Sequence, residues 1–276
     1  MKDYSNYKIN KDIFFSGAEK KYEIEIDGFR YIMKFQKNSE MGLTYSHVSE
    51  FLGSHVFEIV GIPVQETYLG TYEGKNVVIM KNFCGKDEKL IHFNDVGEST
   101  LEQDKELYQY SYEDIQQMLM DNSKLERKED TIKRFWDIFI VDALNGNFDR
   151  HGGNWGFIKK NDKYILAPVY DNGSSMFPRL NSDELLLNVM NSKEEMNKRI
   201  YTFPTSHIKI DGKKSSYYDV IKSKKFPECN EALIRIRKKI DLSKITELVD
   251  SIEDISEVRR KFYKEMYKER LEKILF

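Results

Sequence analysis

The order of signals between Ile132 and Gly173 constrains this chain more than any other feature. Ile132, Phe135, Trp136, Phe139 and Ala143 recur at helical spacing and predict a buried helix. That pattern stops at Asn145-Gly146, a pair that ends helices. A polar loop follows at once, Asn147-Phe148-Asp149-Arg150-His151-Gly152-Gly153-Asn154. Trp155 to Lys160 and Tyr164 to Leu166 then read as short strands around a turn at Asn161-Asp162. They deliver the chain to Val169-Tyr170-Asp171-Asn172-Gly173. A helix, a loop with an aspartate and an asparagine, a hairpin and a second aspartate together point to one polar site.

The N-terminal part reads differently. Tyr22 to Ile26 alternates as a strand should, Asp27-Gly28 is a hairpin turn, and Arg30 to Phe35 returns. Val48, Phe51, Leu52, Val56, Ile59 and Val60 have helical spacing, and Gly61 and Pro63 stop that helix. Two more strands are expected over Val64 to Tyr72 and Asn76 to Phe83, joined at Glu73-Gly74. Strand, strand, helix, strand, strand is the order of a small kinase-like lobe. The stretch from Gly85 to about Glu106 is polar and reads as a connection or exposed insertion. Beyond Gly173 the chain is expected to be helical to its end, with Val258, Phe262, Met266 and Leu271 on the inner face of the last helix. The expected fold class is therefore α+β, with a β-rich lobe over residues 1–84 and a larger helical lobe over 85–276.

Composition excludes several classes. Hydrophobic residues make up 40% of the 276, enough for a packed core. A net charge of -2 argues against a polyanion binder, so no direct nucleic-acid partner is expected. The one basic cluster, Lys222, Lys224, Lys225, Arg235, Arg237, Lys238 and Lys239, reads as a solvated helix face. Cys84 and Cys229 are too far apart in sequence for a paired motif. The histidines have no metal-ligand spacing, and no apolar run suits a leader or a membrane span, so a cytoplasmic protein with no membrane partner is expected.

The chemistry follows from the spacing. Phosphoryl transfer needs a carboxylate to orient the attacking hydroxyl, oxygen ligands for magnesium and a cation on the phosphates. Asp149 and Asn154 have the D-x-x-x-x-N spacing of kinase catalytic loops, and Asp171 stands where kinases put a metal-binding aspartate. By itself the spacing recurs often by chance; the ordered context is what strengthens it. Lys34 shares a strand face with Ile32, an odd place for a solvated lysine and a natural one for a lysine reaching into a nucleotide cleft. Glu50 on the next helix is its expected partner, with Glu58 the competitor. The bland alternatives are turn residues, an edge lysine and a solvated glutamate. His151 is a candidate for hydrogen bonding within the loop or for acting near the phosphate. The chain has neither G-x-x-x-x-G-K-[ST] nor G-x-G-x-x-G, so a phosphate loop would be built around Gly17, with Ser16, Ala18, Lys20 and Lys21. The adenine is expected against the backbone of Lys81, Asn82 and Phe83.

These segments together resemble the HipA-like serine/threonine kinases, in particular their shorter, single-kinase-domain branch. Phe15-Ser16-Gly17-Ala18-Glu19-Lys20 resembles the family's phosphate-binding loop. Ser49-Glu50-Phe51-Leu52-Gly53 with Gly61-Ile62-Pro63-Val64 resembles the following helix and strand. Gly146 to Asn154 resembles the G-N-x-D-x-H-x-x-N catalytic loop, and Leu166 to Gly173 the L-A-P-x-Y-D metal segment. The resemblance implies a two-lobed kinase fold, ATP with Mg2+, and transfer to protein hydroxyls. It gives Asp149 the catalytic role, Asn154 and Asp171 the metal roles and Lys34 the phosphate role. Members can autophosphorylate in the phosphate loop, where Ser16 is the candidate. Full-length HipA toxins carry an extra N-terminal subdomain and bind a HipB-type antitoxin. This chain begins almost at the phosphate loop, so the expectation is no such subdomain, which argues against an antitoxin partner. Two alternatives stand beside this one. An aminoglycoside-type small-molecule phosphotransferase shares the spacing, but usually has His-Gly where Asn147-Phe148 stands. A pseudokinase module would usually have lost the lysine or a metal carboxylate.

Overall fold

The computed structural model describes residues 1–10, 21–40, 42–96, 110–123, 125 and 127–276. The first part forms a six-stranded sheet from β1 (Lys2–Asp3), β2 (Ile9–Asn10), β3 (Lys21–Ile26), β4 (Phe29–Phe35), β7 (Thr67–Tyr72) and β8 (Lys75–Lys81), in the order β1-β7-β8-β4-β3-β2. Two short strands, β5 (Asn38–Ser39) and β6 (Gly42–Leu43), lead into helix α1 (Ser46–Ile59). The β3–β4 turn has positive φ at Asp27 (52°) and Gly28 (80°), and the β7–β8 turn at Glu73 (49°) and Gly74 (71°). A two-residue turn needs those signs to follow the twist of its strands. Helix α1 stops at Gly61, where φ is 72°. Val64, expected inside a strand, instead makes an isolated bridge to Val169, so the strand begins at Thr67.

The stretch after Gly85 is more structured than its polarity suggests. It contains β9 (Lys89–His92) and a single helical turn, α2 (Phe93–Val96). β9 pairs with β11 (Gly156–Lys160), which pairs in turn with β12 (Lys163–Leu166). After β10 (Tyr110–Ser111) comes α3 (Tyr112–Asp121), with a capping box between Ser111 and Asp114. Helix α4 (Lys128–Asn145) ends on Gly146 at φ 58°.

The expectation of an all-helical chain beyond Gly173 is corrected by a hairpin, β13 (Thr205–Ile210) and β14 (Lys213–Ser216). It turns on Asp211 (φ 51°) and Gly212 (φ 75°), the same Asp-Gly signal as at Asp27. The other elements there are helical, the last long one being Glu257–Arg270, which runs into a π-helical turn at Leu271–Leu275. The largest apolar cluster joins Val48, Leu52 and Val56 of α1 to Trp136, Ile140 and Leu144 of α4 and to Phe262 and Met266 of the last helix. Each of these fully buried side chains contributes roughly 1.5–3 kcal/mol relative to exposure. Helix α1 therefore shares a core with the helical part rather than riding on the sheet alone. Among the described residues, no helix is long and apolar enough to cross a membrane. In the basic cluster Lys225 pairs with Asp211 at 3.0 Å, Arg235 pairs with Asp137 at 2.6 Å, and Lys222, Lys238 and Lys239 are exposed.

Candidate active site

Three predicted residues meet directly. The Lys34 ammonium donates to Glu50 Oε2 at 3.3 Å and to Asp171 Oδ1 at 3.0 Å. Lys34 sits on β4 with 7% of its surface exposed, which explains its odd strand face. Glu50 is buried on α1 and uses its other oxygen to accept the Asn172 amide at 2.7 Å. Glu58, the competitor, keeps 71% of its side chain exposed. Asp171 adopts φ 57°, a left-handed conformation that non-glycine residues rarely hold. Burial pushes the Asp171 carboxyl up, but the charges of Lys34 and Lys21 and the Lys34 hydrogen bond hold it well below the usual carboxylate range. Lys21 lies directly across the sheet from Lys34.

The catalytic-loop candidate leaves α4 through Gly146. The Asn147 side chain donates to Asp142 at 3.0 Å and accepts the Asp149 amide at 3.0 Å, which turns the loop. Asn154 donates its side-chain amide to the Asp149 carbonyl at 2.7 Å, leaving its amide oxygen as an acceptor. His151 Nδ1 accepts the Gly153 amide at 3.0 Å, and its Nε2 is 3.8 Å from Asp149 Oδ1. The first of these shapes the loop. The Asp149 side chain is 46% exposed. Its carboxyl is raised by burial, lowered by His151 and raised again by Asp171, so the two aspartates feel each other.

Beneath the loop lies a network that no expectation singled out. The buried Arg150 guanidinium pairs with both oxygens of Asp142, at 2.8 and 3.1 Å, and donates to the Asn154 carbonyl at 2.7 Å. It also reaches the Tyr170 carbonyl and the Asn172 side chain. One fork thus ties α4, the loop and both neighbours of Asp171. The available signal was an aspartate at position 142, between Val141 and Ala143 of an apolar helix.

A second brace comes from the segment after β8. Asn94 donates its backbone amide to the Gly152 carbonyl at 3.1 Å. A Cβ on Gly152 would stand 1.9 Å from Asn94 Oδ1 and 3.0 Å from Phe93. Gly152→Ala is therefore expected to cost about 1–3 kcal/mol of stability by overpacking. Displacing the loop should also lower turnover by up to about a hundredfold. A melting curve and a rate measurement on one preparation check both effects.

Not all predicted residues converge. The Lys81 ammonium turns outward to Glu66 at 2.8 Å. The Lys81 and Asn82 amides are engaged by the carbonyls of Glu66 and Arg30. The Lys81 carbonyl accepts from the Gln65 side chain at 2.9 Å, so the Asn82 carbonyl and the Phe83 main chain are the groups of this segment that could meet a base. Ser16, Gly17, Ala18 and Lys20 lie outside the described residues. Among the described residues, no group of three or more His, Cys, Asp or Glu side chains is placed to hold a metal. The Asp171 carboxylate and the Asn154 amide oxygen are hard oxygen donors. Two such donors fit magnesium, which takes few protein ligands and completes its shell from water and phosphate.

A lysine held between a helix glutamate and an aspartate, with a loop aspartate close enough to that aspartate for their charges to interact, is an arrangement that phosphoryl transfer could use. The chain belongs to the HipA-like C-terminal domain family, whose profile matches residues 13–258. It is 34% identical to the serine/threonine-protein kinase CtkA of Helicobacter pylori, over 99% of this chain and 86% of that protein. The crystal structure of that proinflammatory kinase superposes with a TM-score of 0.91, covering 99% of this chain and 95% of the other. HipA of Shewanella oneidensis, solved with HipB and operator DNA, matches at 14% identity with a TM-score of 0.59, covering 95% of this chain and 64% of that one. At that identity the second likeness concerns the fold alone.

Proposed function

We propose that this chain is a HipA-like serine/threonine protein kinase that transfers the γ-phosphate of ATP to protein hydroxyls. The observation that carries the reading is the Lys34 ammonium bridging Glu50 and Asp171. That contact joins the sheet, α1 and the metal segment around one cation, as phosphoryl transfer requires. In this reading residues 1–84 form the nucleotide-facing lobe and 85–276 the lobe bearing the loop.

Each residue then has a distinct task. Lys34 binds phosphate oxygens, and Glu50 fixes its direction. Lys21, opposite Lys34 on the strand pair, adds positive charge on the same side, and binding the phosphates is the role proposed for Ser16, Gly17, Ala18 and Lys20. Asn82 and Phe83 offer backbone groups to the adenine. Asp171 and Asn154 hold Mg2+, which when bound neutralises charge on the phosphates. Asp149 orients the acceptor hydroxyl. The acceptor oxygen bonds to the γ-phosphorus as the bond to the β–γ bridging oxygen breaks. ADP leaves, and the hydroxyl proton passes to Asp149. His151 shapes the loop and biases the Asp149 charge. Because the Asp149 carboxyl is raised, transfer is expected to fall on the acid side as that group protonates.

Incubating the protein with magnesium-ATP and a mixed protein acceptor, then mapping phosphosites, tests the reading. Label is expected on serine and threonine. Lys34→Ala should transfer at least about a hundredfold more slowly. Unchanged turnover in Lys34→Ala would remove the lysine's role, and no transfer by the wild type would remove the kinase reading.

A further inference from the structure

Phe148 precedes Asp149, and its ring is half-buried rather than part of the core. It stacks on Phe203, with centroids 6.0 Å apart and planes at 27°. Phe203 is 41% exposed and rests on the buried Phe177 at 6.0 Å. The exposed Arg179 places its guanidinium 5.5 Å from the Phe148 centroid. An aromatic shelf with a cation at its rim therefore adjoins the loop aspartate.

The β13–β14 hairpin brings a second set of charges to the same loop. The His207 ring of β13 meets the His151 ring edge-on, 6.0 Å away. Lys209 and Lys214 stand directly opposite each other across the hairpin. Like charges in that position destabilise a strand pair, so the hairpin does not keep them for its own stability. Lys214 stands on β14, paired with the strand whose His207 meets His151 of the loop. Among the described residues, no carboxylate forms an ion pair with Arg179, Lys209 or Lys214. Lys225, by contrast, finds Asp211 of the same hairpin at 3.0 Å. Among the described residues, Arg179 and Lys214 thus have no acidic partner of the kind that Lys225 has.

Resting on the kinase reading, we infer that this shelf and hairpin receive the acceptor polypeptide and select a serine or threonine flanked by acidic side chains. The Phe148–Phe203 pair supports the segment beside the hydroxyl, and Arg179 and Lys214 pair with its carboxylates. A segment flanked by lysine or arginine meets like charge at those positions and is disfavoured.

Peptide libraries with a fixed serine or threonine and one varied flanking position, labelled from magnesium-ATP, test this. The wild type is expected to prefer Asp or Glu over Lys or Arg by about tenfold or more at one or more positions. Arg179→Glu/Lys214→Glu should invert that preference, while its magnesium-ATP affinity by calorimetry stays at the wild-type value. If that variant melts early, Arg179→Gln/Lys214→Gln should flatten the preference instead. Phe203→Ala should raise KM for the preferred peptide more than it lowers kcat. Labelling without acidic selection overturns the inference and leaves the kinase reading standing. Acidic selection that persists in the charge variants also overturns it. Absence of both label and ATP consumption in the wild type overturns the two together.

Discussion

Asp149→Asn is expected to lower phosphoryl transfer by about three to four orders of magnitude while magnesium-ATP binds nearly as it does to the wild type. The asparagine keeps the shape of the loop. The Asp149 amide still bonds to Asn147 and its carbonyl to Asn154, because both contacts are main-chain on the Asp149 side. What disappears is the carboxylate that orients the hydroxyl and takes its proton. Asp171→Asn should behave differently. Its carboxylate pairs with Lys34 and is the charged member of the two oxygen donors proposed for magnesium. Losing it should weaken magnesium-dependent ATP binding and transfer together, since the triphosphate loses the ion that fixes its geometry. Calorimetry of both variants with ATP, with and without magnesium, separates the two roles. If Asp171→Asn binds magnesium-ATP like the wild type and Asp149→Asn does not, the roles are reversed and this alignment of the site is wrong.

Local signals made much of this arrangement readable in the sequence. Asp27-Gly28, Glu73-Gly74 and Asn161-Asp162 mark turns with positive φ, which Gly, Asp and Asn adopt readily, and a hairpin lies at each. Lys34 was legible because a charge broke the strand's alternation, and Glu50 because one helix offered it and Glu58 as partners. Only burial decides between the two glutamates. The β13–β14 hairpin carried the same Asp-Gly signal but sits among charged segments. Lys209, Lys213 and Lys214 hide the apolar alternation that strands show elsewhere. β9 went unseen because its partner β11 lies far along the chain, and a strand satisfied by such pairing needs little local propensity. The Asp142–Arg150 network was illegible for a related reason. A buried ion pair contradicts the apolar pattern around it, and its justification lies in the loop and metal segment that it joins.

That network should be where the folded state is most sensitive to a single side chain. Asp142→Ala removes both carboxylate oxygens that face the Arg150 guanidinium, one of which also accepts from Asn147. Burial works against the charge on Arg150, and the Asp142 carboxylate is the main group that offsets it. Removing one member of a buried pair leaves an uncompensated charge and destabilises by about 3–5 kcal/mol. For a chain of this size that corresponds to a melting temperature lower by roughly 10 °C. Replacing both partners, as in Asp142→Leu/Arg150→Met, removes the uncompensated charge but leaves the Asn154 and Tyr170 carbonyls and the Asn147 and Asn172 side chains without these partners, so it should restore only part of the stability. It should not restore transfer. The guanidinium also holds the Asn154 and Tyr170 carbonyls and the Asn172 side chain, so the loop and the Asp171 segment lose their common anchor. A double variant that melts above Asp142→Ala yet stays inactive would show that the pair is kept for the geometry of the site rather than for its charge balance alone. A double variant as active as the wild type would show that the loop is held by other contacts. Asp142→Ala melting within about 1 °C of the wild type would contradict the calculation of an uncompensated charge itself.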